Sequence, residues 1–157
     1  MNNPLLNEIL LIVAVLTTGI VYGTDSFHAI AGKKATSLSK DASIADLLGH
    51  THLVADKRMP VIGMISIIST AIFLFLNLTN LTLVICSGIT LITLLAHLTL
   101  YLKVAKPVNS LMSAAAVNNK VPANIRDLQN KWDSVIFYRT AFLTIAILGL
   151  LISIMNL

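Results

Sequence analysis

Residues 22–32 read Tyr-Gly-Thr-Asp-Ser-Phe-His-Ala-Ile-Ala-Gly and close the first long apolar segment of the chain. Asp25 and His28 lie three positions apart, so a helix places both side chains on one face. An ionisable group inside a membrane-spanning segment is rare and usually marks a functional site. The rest of the chain is therefore interpreted around these two residues.

The composition is that of an integral membrane protein. Of the 157 residues, 56% are hydrophobic and 11% are charged, whereas about a quarter of a soluble domain is charged. The basic residues behind the formal net charge of +4 occur singly or in pairs, without the dense basic patch of a nucleic-acid-binding protein. Cys86 is the single cysteine, which excludes an internal disulfide or a dithiol redox pair.

Four apolar segments are long enough to cross a bilayer, which takes about 20 helical residues. They cover approximately residues 5–30, 60–77, 80–102 and 133–155. The turn between the second and third segments is so short that these two helices must be antiparallel neighbours. The sequence predicts an all-α protein in which residues 1–157 form one four-transmembrane-helix bundle.

The start of the chain also contains Ala29-Ile30-Ala31, which resembles a signal-peptidase site. Residues 1–10 carry Glu8 and no lysine or arginine, whereas a signal peptide begins with positive charge. We therefore expect residues 5–31 to be a retained helix.

Charge asymmetry predicts the orientation of the bundle. Ten of the eleven basic residues lie in the two long connections, 32–59 and 103–132, and only Arg139 lies elsewhere. The positive-inside rule places both connections in the cytoplasm and both termini outside. The expected location is a cytoplasmic membrane of the bacterial inner-membrane type.

Helical periodicity continues outside the apolar segments. Between Ser43 and Lys57, apolar residues recur at helical spacing, which predicts an additional amphipathic helix at the membrane interface between helices one and two. Pro60 is expected in the first turn of the second helix. The fourth helix is expected to begin near Pro122 and to run unbroken to about Asn156.

Polar groups inside the apolar segments fall into two layers. At a rise of about 1.5 Å per residue, His28 and His97 lie roughly 8 Å from the nearest cytoplasmic lysine. Asp25 and Arg139 lie roughly 12 Å from theirs. Because a carboxylate and a guanidinium can satisfy each other where an isolated charge is costly, Asp25 and Arg139 are predicted to pair. They could also orient a ligand or take part in catalysis.

The histidine layer predicts a cofactor or metal site. Imidazole binds haem iron, copper, iron or zinc, and His50 and His52 lie at the same membrane face. Two arrangements remain open: His28 and His97 clamp one haem, or His28, His97 and His52 hold one metal ion with Asp56 or His50 as a further partner.

Three motifs resemble the anthrone oxygenase-like family of small membrane proteins. They are Gly23-Thr-Asp-Ser-Phe-His28, the run His50-Thr-His-Leu-Val-Ala-Asp-Lys-Arg-Met-Pro60, and Asn130-Lys-Trp-Asp-Ser-Val-Ile-Phe-Tyr-Arg139. Members with an assigned role are implicated in oxidising polycyclic aromatic anthrones to quinones with dioxygen. The resemblance implies a four-helix membrane fold and oxidative chemistry on a lipophilic substrate.

Two functions follow from these observations. The first is a membrane-bound oxidoreductase or oxygenase with a histidine-ligated haem or metal centre, acting on a quinone-like or aromatic molecule from the bilayer. The second is a non-catalytic membrane protein, an accessory subunit or small transporter, whose polar layers stabilise the bundle. The sequence leaves open whether the chain acts alone, as a homo-oligomer or with a membrane partner protein.

Overall fold

A computed structural model describes residues 4–157 as four long helical segments. They are α1 (Pro4–Leu38), α2 (Asp41–Leu76), α3 (Leu81–Val117) and α4 (Ile125–Met155). Each is long and apolar enough to cross a membrane. The first segment packs against α2 and α4, and α3 packs against the same two segments, which closes a four-helix ring. The predicted all-α class with four long apolar helices is confirmed.

Three of the long segments contain a π-helical turn. These turns are His28–Gly32 in α1, Ile44–Leu48 in α2 and Tyr101–Ala105 in α3. The flanking α-helical stretches are Pro4–Phe27, Lys33–Leu38, Asp41–Ser43, Gly49–Leu76, Leu81–Leu100 and Lys106–Val117. A π turn accommodates one extra residue and is often found at functional sites.

Some predicted boundaries differ from the structure. The residues expected to form a separate interfacial helix are continuous with the second spanning helix, and Pro60 lies inside that helix instead of in its first turn. The structure therefore does not confirm an additional interfacial helix. A proline removes one backbone donor, yet the helix Gly49–Leu76 runs through Pro60. The fourth segment is also not unbroken, since its helices are Ile125–Asp133 and Ile136–Met155.

The apolar core forms three clusters along the bundle. The first contains Leu11, Ala14, Phe73, Leu83 and Leu150. The second contains Val21, Leu94, Leu143 and Ala146. The third contains Ile44, Ala45, Ala105, Val108, Met112, Ile125, Trp132 and Ile136. Most of the third cluster lies in the two long connections of α2, α3 and α4, and Ala29 of α1 packs against it. The bundle therefore continues past the predicted membrane boundary.

Polar pairs tie α1 to α2 inside the bundle. The side-chain amides of Asn7 and Asn77 exchange hydrogen bonds of 3.2 and 3.1 Å. The hydroxyl groups of Thr18 and Ser66 lie 2.5 Å apart, and both residues are buried. Each pair satisfies groups that would be costly to leave alone in an apolar interior.

Arg126 of α4 ties down the connection between α1 and α2. Its guanidinium donates to the Thr36 carbonyl at 3.1 Å and to the Ser39 carbonyl at 2.5 Å. It also pairs with the Asp41 carboxylate at 2.6 Å. The Arg126 side chain therefore pairs with carbonyl groups at the end of α1 and holds the start of α2 in place.

Gly49 marks a close approach of α2 to α3. A Cβ atom at this position would lie 2.5 Å from the Ala116 Cβ and 2.7 Å from the Met112 carbonyl oxygen. We expect Gly49→Ala to lower the free energy of unfolding by about 1–3 kcal/mol, because the two backbones must separate. Thermal unfolding in detergent, followed by circular dichroism, measures the effect.

The matched control is Gly19→Ala, where an added Cβ would meet nothing within 4 Å. The Gly19→Ala variant gains helix propensity, worth up to about 1 kcal/mol, and its added Cβ makes no clash. Equal midpoints for the two variants would contradict the close approach at Gly49.

Candidate functional site

A cavity of about 380 Å³ lies among the four helices, and His28 and Tyr101, the first residues of the π turns in α1 and α3, line it. It is lined by six of the seven predicted site residues: Asp25, His28, His52, Asp56, His97 and Arg139. The seventh, His50, is not among the lining residues. Its ring is half exposed and lies 3.2 Å from the Asp46 carboxylate on its own helix. The structure therefore brings six of these residues together and leaves His50 at the surface.

Asp25 lies at the centre of a buried charge network. Its Oδ1 accepts a hydrogen bond of 2.9 Å from Arg139 Nη2, so the predicted pair between α1 and α4 is confirmed. Its Oδ2 lies 3.0 Å from His97 Nε2. A carboxylate only accepts, so this contact requires a proton on that ring nitrogen. The carboxylate thus holds one side chain from each of two neighbouring helices.

His28 forms a second histidine–carboxylate pair. Its Nε2 lies 2.8 Å from Asp133 Oδ1, and the same oxygen accepts a hydrogen bond of 2.9 Å from Gln129. The other ring nitrogen faces Gly32, where an added Cβ would lie 2.6 Å from His28 Nδ1. The glycine at position 32 therefore makes room for this orientation of the imidazole.

Trp132 packs against three polar side chains of the site. Its ring lies 4.5 Å from the His28 ring in an edge-on arrangement and 5.8 Å from the His52 ring. The Arg139 guanidinium stands 5.3 Å from the indole centre, a distance at which a cation–π interaction is favourable. The indole thus connects the two histidines to the charge network.

Several polar atoms around the cavity are buried without a hydrogen-bond partner. They include His52 Nε2, Trp132 Nε1 and Asn109 Oδ1, and all three residues line the cavity. The amide nitrogen of Asn109 donates to Asp56 Oδ1 at 2.8 Å. Buried polar atoms are normally paired, so these three indicate a place where a ligand supplies the missing hydrogen bonds.

The side chains fit the predicted metal arrangements poorly. Within residues 4–157, no three His, Cys, Asp or Glu side chains stand close enough to hold one metal ion. His28 Nε2 is paired with Asp133, and His97 Nε2 is paired with Asp25. A haem or metal bound through these nitrogens of His28 and His97 therefore requires a rearrangement of both pairs.

Two site residues were not predicted for the roles that they have here. The sequence analysis included Trp132 and Asp133 in a motif without a role at the site, yet only 8% of Trp132 and 6% of Asp133 are exposed. The signal available in the sequence is the spacing of Gln129 and Asp133, which puts an amide and a carboxylate on one helical face. It does not identify the partner, which lies 105 residues away in α1.

No protein-family model, curated protein or solved structure matches this chain. The resemblance to the anthrone oxygenase-like family therefore stays a prediction from the three motifs. The class that the fold and the site define is a four-helix protein with long apolar helices and a histidine-rich, largely apolar cavity.

Proposed function

We propose that this protein is a membrane-bound oxidoreductase or oxygenase that acts on a lipophilic quinone-like or aromatic molecule. The observation that carries the proposal is the set of histidine and carboxylate side chains around one largely apolar cavity. A cavity of this size is typical of sites for small molecules. Its walls suit an apolar ring, and its unpartnered polar atoms suit an oxygen on that ring.

His52 is the proposed general base. Its Nε2 is buried and has no hydrogen-bond partner, so it is available to a hydroxyl group in the cavity. Loss of the hydroxyl proton converts an aromatic alcohol into its anion, which gives up electrons more readily. In a two-electron oxidation to a quinone, the substrate loses two protons and two electrons, and dioxygen accepts both as hydrogen peroxide.

The other charged groups position the reaction. His28 and His97 are each held by a carboxylate, which fixes ring orientation. Arg139 lies beside His97, with 3.4 Å between Arg139 Nε and His97 Nε2. A positive charge at this place stabilises a substrate anion as it forms.

A haem or a transition metal, copper, iron or zinc, remains part of the proposal as a source of electron-transfer chemistry. His52 is the side chain through which such a group would be held with the least disturbance, because its Nε2 has no partner, whereas His28 and His97 are each paired with a carboxylate. A visible spectrum and elemental analysis of the purified protein test for it directly.

Oxygen uptake tests the function. The purified protein in lipid nanodiscs is supplied with substituted hydroquinones, naphthohydroquinones and anthrone, and dioxygen consumption and product absorbance are recorded. We expect uptake that saturates with at least one of these molecules. The proposal is wrong if none is turned over by protein that remains folded, with or without added haem, copper or iron.

The second candidate is a non-catalytic accessory subunit or small transporter. It is favoured because two buried carboxylates at the site are already paired with other side chains. Asp25 and Asp133 each have two partners, which is what a purely structural role requires. Folded protein that binds molecules of this class without oxidising them would support this candidate.

We also propose that the end of the bundle carrying the site faces the cytoplasm of a bacterial-type inner membrane. Pro4, Asn77 and Leu157 line a common surface cavity, so both described ends lie beside the turn between α2 and α3. This turn contains no lysine or arginine, whereas the opposite connections contain ten basic residues. The charge distribution supports cytoplasmic connections and outward-facing ends.

Single-cysteine labelling tests this orientation. In a Cys86→Ala background, Thr79→Cys on the short turn should react with a membrane-impermeant maleimide on intact cells. Ser37→Cys, in the first long connection, should react only after permeabilisation. Both wild-type side chains are exposed, so labelling in the reverse pattern would invert the proposed orientation.

A further inference from the structure

The cavity has a mouth on one side of the bundle. Among its lining residues, the exposed ones are Thr24 and Phe27 of α1 and Thr51 and Met64 of α2. The lining residues contributed by α3 and α4 are buried or half-buried. The opening therefore lies between α1 and α2.

This mouth faces the membrane level of the bundle. Three of its four exposed residues belong to the apolar segments, Thr24 and Phe27 to the first and Met64 to the second, and Thr51 lies in the connection between these segments. Phe27 is 70% exposed and Met64 is 41% exposed, so large apolar side chains flank the opening. A hydrophobic molecule dissolved in the bilayer can reach the cavity through it without crossing water.

The interior of the cavity defines the polar group that such a molecule must carry. Trp132 Nε1 is a donor only, Asn109 Oδ1 is an acceptor only, and His52 Nε2 can do either. The ring centroids of His52 and Trp132 are 5.8 Å apart, so the two side chains occupy the same part of the cavity wall. A hydroxyl accepts from the indole and donates to the imidazole or the amide oxygen.

The charges around the cavity disfavour a charged ligand. Asp25 and Asp56 contribute two carboxylates to the cavity lining against the one guanidinium of Arg139, so an anion would enter a site with excess negative charge. A cation is disfavoured because Asp25 and Asp133 are already paired with side chains. Both charged forms would also lose hydration on leaving water.

We propose that the mouth between α1 and α2 admits uncharged aromatic alcohols, of the phenol or hydroquinone class, from the bilayer. Trp132, His52 and Asn109 recognise the hydroxyl group. This substrate class rests on the proposed oxidoreductase function, but the binding itself needs no oxidant. A binding measurement can therefore succeed where the proposed oxidation fails.

The single tryptophan of the chain is a built-in reporter for this site. A bromine atom quenches tryptophan fluorescence on contact, so matched para-bromo probes can be titrated into protein in nanodiscs at neutral pH. The four probes are 4-bromophenol, which is neutral with a hydroxyl; bromobenzene, which has no polar group; 4-bromobenzoate, an anion; and 4-bromobenzylammonium, a cation.

We expect saturable quenching by 4-bromophenol, with the other three probes at least tenfold weaker, since the hydroxyl pairs buried atoms that they leave unpaired or meet with the wrong charge. Equal quenching by all four probes would show only partition into the membrane and would overturn the proposal. Tighter binding of the anion or the cation would overturn the assigned class.

Two matched glycine variants test the route. Gly63 of α2 lines the cavity, and a Cβ added there meets nothing within 4 Å. Gly63→Leu should therefore narrow the cavity and weaken 4-bromophenol binding at least tenfold. Gly88→Leu places the same side chain in open space on α3, away from the cavity lining, and should leave binding unchanged. Equal binding by the two folded variants would refute the proposed route.

Discussion

Asp25→Asn is expected to lower the free energy of unfolding in detergent by about 3–5 kcal/mol, the usual cost of removing one partner of a buried ion pair. The Asp25 and Arg139 side chains are only 5% and 8% exposed. The amide would leave a buried guanidinium without its counter-charge and would weaken the hold on His97. Thermal unfolding followed by circular dichroism measures the loss.

Asp46→Asn provides the control for this prediction. Asp46 also faces a histidine, but its side chain is 78% exposed, so the change should cost less than about 1 kcal/mol. The double variant Asp25→Asn with Arg139→Gln should be more stable than Asp25→Asn alone, because it removes the stranded charge. An unchanged midpoint for Asp25→Asn would refute the stabilising role of the pair.

His52→Gln is expected to lower the turnover of a hydroquinone substrate at least about 100-fold, the low end of what a positioned general base contributes. Glutamine keeps a polar side chain of similar length but cannot take up the hydroxyl proton. Oxygen uptake at saturating substrate measures the loss. The unfolding midpoint should stay close to that of the wild type, because His52 Nε2 has no partner to lose.

His50→Gln is the matched control, made two positions earlier in the same helix. The His50 ring is half exposed and lies outside the cavity, so turnover should not change. Equal losses in the two variants, or full activity in His52→Gln, would remove the general-base role from the proposed mechanism.

The parts of the fold that could be predicted depend on local physical requirements. Apolar length alone identifies the four spanning helices, because each must satisfy its backbone internally. Depth counting also identified Asp25 and Arg139 as partners, since two opposite charges at one level of an apolar interior are unlikely to remain apart.

The expected interfacial helix is a case in which the local sequence pattern was not sufficient. An amphipathic pattern indicates that one face is covered, but it does not say what covers it. At Gly49 the amphipathic face is covered by α3. The Gly49 carbonyl accepts a hydrogen bond of 3.1 Å from Ser113, and the α2 backbone passes close to Ala116. The segment is therefore an extension of α2 within the bundle.

The site could be predicted only in part for the same reason. Asp25, His28 and His97 were identified by their depth, but the partner of each histidine is a long-range contact, 72 residues away for His97 and 105 for His28. The π turns add to the difficulty, because each holds one extra residue and shifts the helical phase read across it. The spacing of apolar residues therefore predicts the buried face of a helix only within a stretch that contains no π turn.

The mouth between α1 and α2 is framed at both ends by polar ties. On one side the Thr18 and Ser66 hydroxyl groups join the two helices, and on the other Arg126 clasps Thr36, Ser39 and Asp41. Both ties limit how far α1 and α2 can separate at the mouth. We therefore expect flat molecules to enter more readily than bulky ones of the same polarity.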